Sequence, residues 1–579
     1  MKGFNSLTRV FLFLVVYLVV FPIPGLGIND ESGFITLDPV DFSISPRFIQ
    51  GYFPLHFRSS QAKIWYVFQR ADHNPEEKPL FVFFNGGPGS ATSCGLLVMN
   101  TGRRAMAEEG DDLRVGPNPH SWTRLGNLLY IDARQTGFSY NLMENPSSRE
   151  QRILEFNAQN FNIYTDAADF LRVILEIFHK FPQLEKNRVI LVPESFGGFR
   201  ATVMLHILLN PGLYKSANRS EYFVDPELVN RIESHYERVF AGNRHPTKMQ
   251  IAGQFSHQIM IQPGLSWYYQ QKATGDEFEK PGSIIHQLAL EAGKIYTPCA
   301  GAANCNPFFN AINFIRNVLQ RDIYYYTQPD GTLFKAFDRG GILVKNLSML
   351  TELISQDPRT IEGFYASARA RAYRFGDPDF ECPDPDMLFI TRRPNYPETN
   401  ATELKPESDF EYHFGRLFPW DAYFLGSNSR AHWAFYYNIT RSTHGNSITP
   451  YNYENGSKFL ENLVWVPTFI TNAALDLLVY SPAVPVTFSR YYQYALQGVE
   501  WEPDACCGEE RPGRLVFRFR PHFGGNNASS ERIVRFPLYS HSSHAVPLNQ
   551  PAELLADVEA WLRETELLWR DNSLPESGD

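Results

Sequence analysis

The sequence is poor in cysteine, has no clustered basic residues and no long polar tract, and holds no apolar run of membrane-spanning length after residue 27. Each absence removes a class of function. Its 53 Lys and Arg are scattered along a 579-residue chain of formal charge -10 and pI near 5.9, so the basic face that nucleic-acid binding requires is missing. A chain with 43% hydrophobic and 20% charged residues can bury a core, which leaves disorder for the ends. Stable membrane insertion needs a run of about 20 apolar residues, and none follows the first segment. No internal repeat is present. His541 and His544 have no further Cys/His cluster around them, so neither a metal nor another cofactor is expected.

What is present begins with a secretory signal over residues 1–27. Lys2 and Arg9 supply positive charge, Val10 to Phe21 is an unbroken apolar stretch, and Gly25-Leu26-Gly27 is a small-residue cleavage pattern. Export would place Cys94, Cys299, Cys305, Cys382, Cys506 and Cys507 where disulfides persist. Cys299 and Cys305 are the easiest pair to propose; the other connectivities stay open. Asn218, Asn346, Asn400, Asn438, Asn455 and Asn527 each begin a glycosylation sequon.

Strand and helix patterns alternate through the first half. Ala62 to Gln69 alternates in polarity, Pro79 to Phe84 is apolar throughout, as in a strand buried on both faces, and Leu125 to Asp132 repeats that pattern. Thr165 to Phe181 carries helical spacing, Arg188 to Val192 returns to strand, and Phe199 to Leu209 is helical again. A further strand is predicted at Met249 to Gly253 and the next only at Leu463 to Thr471. The closing elements are a hairpin, Arg514 to Arg520 with Ile533 to Tyr539, and a helix from Pro551 to Leu567. The implied class is α/β: a mixed, mostly parallel sheet. Its two parts, residues 28–263 and 456–579, flank an inserted cap over 264–455, where Ile284 to Ile295 and Phe308 to Leu319 read as helices.

Val189-Ile190-Leu191-Val192-Pro193-Glu194-Ser195-Phe196-Gly197-Gly198 puts a serine on a small-residue turn between strand and helix, the setting of a nucleophile elbow. A serine hydroxyl is a weak nucleophile and needs a histidine to take its proton and a carboxylate to steady that histidine. Asp476 and His544 each follow a predicted strand, and Ser195, Asp476 and His544 occur in the chain order of α/β-hydrolases. Asn85-Gly86-Gly87-Pro88-Gly89 follows a buried strand and can offer a backbone N–H to an oxyanion; Gly87 and Phe196 are the expected donors.

Asn85-Gly86-Gly87-Pro88-Gly89-Ser90, Leu128-Leu129-Tyr130-Ile131-Asp132, Gly137-Phe138-Ser139-Tyr140, Glu194-Ser195-Phe196 and His544-Ala545-Val546-Pro547 together resemble the serine carboxypeptidase family. The resemblance implies an α/β-hydrolase core with a cap, export, and removal of C-terminal amino acids from peptides, often at acidic pH. It assigns Asn85 and Glu194 to the substrate's terminal carboxylate. Pro193, Phe196, Phe83, Ala473 and Ala474 depart from the family's usual residues, and Met99 or Asn100 stands where a second carboxylate-binding glutamate is usual. The expected partners are therefore peptides with a free C-terminal carboxylate. An esterase or acyltransferase, or a noncatalytic binding or protective protein on the same scaffold, is the alternative, and the oligomeric state is left open.

Overall fold

The computed structural model describes residues 30–44, 55–59, 61–86, 92, 101–109, 112–134, 139–142, 163–214, 225–265, 275–282, 286, 289–290, 293, 325–327, 333–335, 465–473, 476, 502–503, 515–519, 532–539, 542, 544 and 546–565. The expected signal segment, all six cysteines, the six sequons, Gly87, Asn100, His541, the helix expected at Phe308 to Leu319 and most of the expected cap lie outside the described residues.

In chain order the strands are β1 (Glu31–Leu37), β2 (Val40–Ile44), β3 (Leu55–Ser59), β4 (Gln61–Gln69), β5 (Leu80–Phe84), β6 (Arg104–Glu109), β7 (Asp112–Pro117), β8 (Asn127–Ile131) and β9 (Tyr140–Leu142). Then come β10 (Val189–Pro193), β11 (Phe255–Ile261), β12 (Tyr325–Thr327), β13 (Leu333–Lys335), β14 (Thr468–Ala473), β15 (Glu502–Pro503), β16 (Leu515–Phe519), β17 (Arg532–Phe536) and β18 (Leu538–Tyr539). The helices are α1 (Ile163–Lys180), α2 (Gly197–Leu209), α3 (Pro226–Val239), α4 (Lys248–Gln254), α5 (Val546–Asn549) and α6 (Pro551–Glu564). One large sheet runs in the order β1-β4-β8-β5-β10-β11-β14-β17-β16-β15, with β9 beside β4 and β18 beside β14. Its centre, β8-β5-β10-β11-β14-β17, is parallel; the flanking pairs β1/β4, β4/β8, β16/β17 and β15/β16 are antiparallel. This is the mixed, mostly parallel α/β sheet that the strand and helix patterns imply.

Both faces of the central strands are covered, which is why their sequences show no polar alternation. Along β5, Leu80, Val82 and Phe84 join the cluster formed with α1, α2 and α3, Phe84 meeting Phe170 at 5.1 Å. Phe81 and Phe83 face the opposite way, edge-on to Trp122 at 5.8 and 5.4 Å. On that second face Trp561 of α6 packs against Phe469 of β14 and His257 of β11. Every residue of α2 is buried, so its only stable position is between the sheet and its neighbouring helices.

The predicted strand at Met249 to Gly253 is corrected: these residues form α4, and the strand begins immediately after, at Phe255. Thr247 caps that helix reciprocally with Gln250, and this local capping box outweighs a short apolar run that has no length to decide its own period. The strand expected to start at Leu463 starts at Thr468, one residue past Pro467. The second arm of the closing hairpin is split at Pro537: β17 pairs with β16 and β14, while β18 adds a parallel pair to β14. Glu31–Leu37, the β2/β3 and β6/β7 hairpins and α3 are further elements that the periodicity did not mark.

The turn leading into β5 is held by two buried asparagines. Asn127 Nδ2 donates to the carbonyls of Pro75 and Lys78 at 2.7 and 3.1 Å while its Oδ1 accepts from Ala71 N, and Asn187 Nδ2 reaches the same two carbonyls. Asn127→Ala removes the Oδ1 that accepts from Ala71 N–H and leaves a buried hole, so the urea midpoint should fall by the equivalent of about 2–4 kcal/mol. A loss within ~0.5 kcal/mol would show that water replaces the amide there.

Candidate active site

Ser195 stands between β10 and α2 with φ at 53°, one of four non-glycine residues with positive φ among the described residues. The turn is pinned from both neighbouring strands. Glu194 N donates to Phe84 O at 3.0 Å, Ser195 N to Ile261 O at 2.9 Å, and Gly264 N returns to Ser195 O at 2.7 Å. Helix bonds begin at once, Gly197 N to Glu194 O and Gly198 N to Ser195 O. A methyl group on Gly198 would lie 2.7 Å from Gly264 O and from Pro263 Cβ, so the helix can start this close to the β11 loop only without a side chain. Surroundings that fix the backbone this completely can hold a serine in the sparsely populated left-handed region, a cost of order 1–3 kcal/mol.

Across from the turn, Asn85 and Gly86 extend from the end of β5. A Cβ on Gly86 would fall 2.3 Å from Phe196 N and 2.8 Å from Ser195 Cβ, so the loop backbone lies directly against the serine turn. Glu194 ties the two together: its Oε2 accepts from Asn85 Nδ2 at 2.9 Å and from Gly86 N at 3.1 Å. Asn85 N donates to Thr92 Oγ1, and Asn85 O accepts from Nη1 of Arg200 at 2.7 Å. Arg200, on the second turn of α2 and 1% exposed, also donates from Nε to Asp166 Oδ2 at 2.7 Å, its guanidinium 4.3 Å from the Phe170 ring. Burial pushes the Asp166 carboxyl up, and Arg200 works against that shift.

Asp476 lies just past β14, completely buried, and His544 five residues past β18. Nδ1 of His544 is 2.8 Å from Oδ2 of Asp476; a carboxylate can only accept, so Nδ1 carries the proton. Its Nε2 is 3.0 Å from Oε1 of Glu194, close enough for an ion pair once the ring is protonated. Burial by itself would lower the imidazolium pKa, but Asp476 and then Glu194 outweigh it and raise His544 from 6.5 to about 10.

The six expected site residues within the described set, Asn85, Glu194, Ser195, Phe196, Asp476 and His544, converge on one edge of the sheet, the carboxyl ends of β5, β10, β14 and β18. Gly87 and Asn100 lie outside the described residues. Arg200 and Thr92 escaped the sequence reading. A lone arginine in the mostly apolar helix Phe199 to Leu209 was the available signal, since a cation placed there must be paired. Among the described residues no group of three His, Cys, Asp or Glu side chains could hold a metal ion.

Two expectations can be measured. Gly86→Ala forces the loop and the serine turn apart, and a displacement of this size at a reacting centre costs about a hundredfold, so modification of Ser195 by a fluorophosphonate should slow by that factor. Wild-type labelling rates in this variant would mean that the loop is not needed. The raised His544 pKa favours the protonated fold, a contribution fully present below 6.5 and lost as the pH rises through about 10. Over that window the wild-type melting temperature should decline relative to His544→Gln; parallel curves would count against the ion pair.

The serine carboxypeptidase family model matches residues 39–212. A serine carboxypeptidase-like protein of Arabidopsis thaliana, number 41 of its series, is 32% identical over 169 residues, which are 29% of this chain and 33% of the relative. The lysosomal protective protein of Mus musculus is 27% identical over 42% of this chain and 49% of its own length. A carboxypeptidase Y homolog of Arthroderma benhamiae is 34% identical over 21% and 17%. The chain thus spans at most about half the length of these curated relatives. Among solved structures, a prohormone-processing carboxypeptidase of Saccharomyces cerevisiae aligns over 92% of this chain and 91% of its own, at 13% identity and a TM-score of 0.46. Residues 39–212, which carry the serine turn and the loop against it, are thus similar to the serine carboxypeptidases.

Proposed function

We propose that the chain is an exported serine-type carboxypeptidase that releases C-terminal amino acids from peptides through an acyl-enzyme. The observation that carries this reading is the buried His544–Asp476 pair at 2.8 Å on the same sheet edge as a serine held at φ 53°. In the reaction His544 Nε2 takes the proton of Ser195 Oγ as the oxygen attacks the last peptide carbonyl, and Asp476 stabilises the imidazolium that forms. The N–H groups of Gly87 and Phe196 receive the oxyanion. His544 gives its proton to the departing amine; a water then repeats the sequence and frees the shortened peptide.

Asn85 and Glu194 are the groups proposed to hold the substrate's terminal carboxylate. A carboxyl group binds a carboxylate only when the two share a proton, which makes acidic conditions favourable. The residues at Met99 and Asn100 supply no second carboxylate, and this favours one other reading, an esterase or acyltransferase using the same acyl-enzyme on a substrate without a free carboxylate.

The purified protein should release the terminal residue from N-blocked dipeptides, and Ser195→Ala should lower that rate by about 10⁶-fold, to background. Comparing each dipeptide with its C-terminal amide and with simple esters decides the substrate class. Equal rates on the acid and the amide would exclude a carboxypeptidase and leave the esterase reading; full activity in Ser195→Ala would remove both.

A further inference from the structure

Glu194 divides its carboxylate between two sides of the site. Oε2 is taken by Asn85 Nδ2 and Gly86 N, at 2.9 and 3.1 Å, and so belongs to the loop at the end of β5. Oε1 lies 3.0 Å from His544 Nε2, the nitrogen that the reaction needs as a base. The side chain is 9% exposed at Glu194 and 2% at His544, so water screens the contact poorly. Among the described residues, the charged groups facing the imidazole are Asp476, reached from the end of β14, and Glu194, reached from the end of β10.

We propose that Glu194 is the resting partner of the catalytic imidazole: without substrate it holds His544 Nε2 as an imidazolium pair, and a peptide whose terminal carboxylate engages Asn85 and Glu194 releases the nitrogen to serve Ser195. This rests on the carboxypeptidase reading and adds to it a coupling between substrate recognition and base availability. A proton shared between Glu194 and the arriving carboxylate is the proton that Oε1 can no longer share with His544, so occupation of one contact weakens the other. With Glu194 neutralised, Asp476 remains as the anion on the imidazole among the described residues, and the direction of the change is toward a more readily deprotonated base. The enzyme would then be slow toward reagents that carry no carboxylate and fast toward its own substrates, without any moving lid.

The test is the pH dependence of Ser195 labelling by a neutral fluorophosphonate, a reagent with no carboxylate to displace Glu194, in the full chain and in Glu194→Gln. The wild-type rate should rise with a midpoint above neutrality, and in Glu194→Gln the midpoint should fall by at least about one pH unit, giving roughly tenfold faster labelling at pH 6. On an N-blocked dipeptide with a free carboxylate the same variant should lose kcat/KM, so the two changes have opposite sign. A residue that merely braced the loop would slow both reactions and leave the midpoint where it was. Glu194→Asp, which keeps the charge but draws it back from Nε2, should move the labelling midpoint in the same direction and decides the matter if the glutamine variant does not fold. Equal midpoints in wild type and variant overturn the proposal while leaving the carboxypeptidase reading intact. No Ser195-dependent labelling at any pH overturns both.

Discussion

The site depends on the parallel register of four neighbouring strands. Phe84 pairs with Pro193, Glu194 bridges to Ile261, and Ile261 pairs with Thr471, so β5, β10, β11 and β14 end within a residue or two of a common line. Whatever follows each strand is delivered to the same edge: Asn85 and Gly86 after β5, Glu194 and Ser195 after β10, Asp476 after β14, and His544 beyond β18, which pairs Ala473 with Tyr539. Residues separated by hundreds of positions meet because the ladder hydrogen bonds leave the ends nowhere else to go. A one-residue slip of β10 against β5 would turn Leu80, Val82 and Phe84 against the wrong partners and carry Ser195 away from Gly86.

That edge concentrates charge where water is scarce. Asp166, Glu194 and Asp476 are three carboxylates, and Arg200 and His544 the cations that answer them. An unpaired charge at such depth is prohibitive, and each of these has a partner within hydrogen-bonding or ion-pair distance. Arg200 serves two ends at once, joining the Asp166 carboxylate of α1 to the backbone of the loop that approaches the serine. Helix packing on one face of the sheet is thereby linked to loop position at its edge.

Much of this architecture was legible in the sequence because the central strands bury both faces and so appear as unbroken apolar runs. PLFVFF and VILV are unambiguous, and the long helical spacing of α1 needs no context. β11 was hidden by its own chemistry. It buries Ser256, His257 and Gln258, residues that argue against a core strand, and His257 is made tolerable by Ser256 Oγ and by Thr565 Oγ1 of the distant C-terminal segment. A short apolar stretch just before it then drew the strand assignment that α4 overturns. The triad candidates were legible from strand-end placement and chain order. The approach of Glu194 to His544 was not, because it joins positions far apart in sequence and depends on how the carboxylate shares its two oxygens between loop and imidazole. Gly86 carried a weaker clue: glycine in a turn has many causes, and only the 2.3 Å that an added Cβ would leave to Phe196 N selects among them.

The placement of β14 and β18 at the centre of a sheet begun by β1 has a consequence for synthesis. A ribosome emits the serine turn and its facing loop before residue 212, yet Asp476 and His544 emerge only with the final third of the protein, followed by α6, whose Trp561 and Asp557 anchor Phe469 and Tyr539 beneath them. Until then the nascent chain carries a hydroxyl with no imidazole to take its proton. Translation order therefore separates the serine turn from its proposed base, and a chain cut short of α6 would retain Ser195 while losing the packing beneath Asp476 and His544.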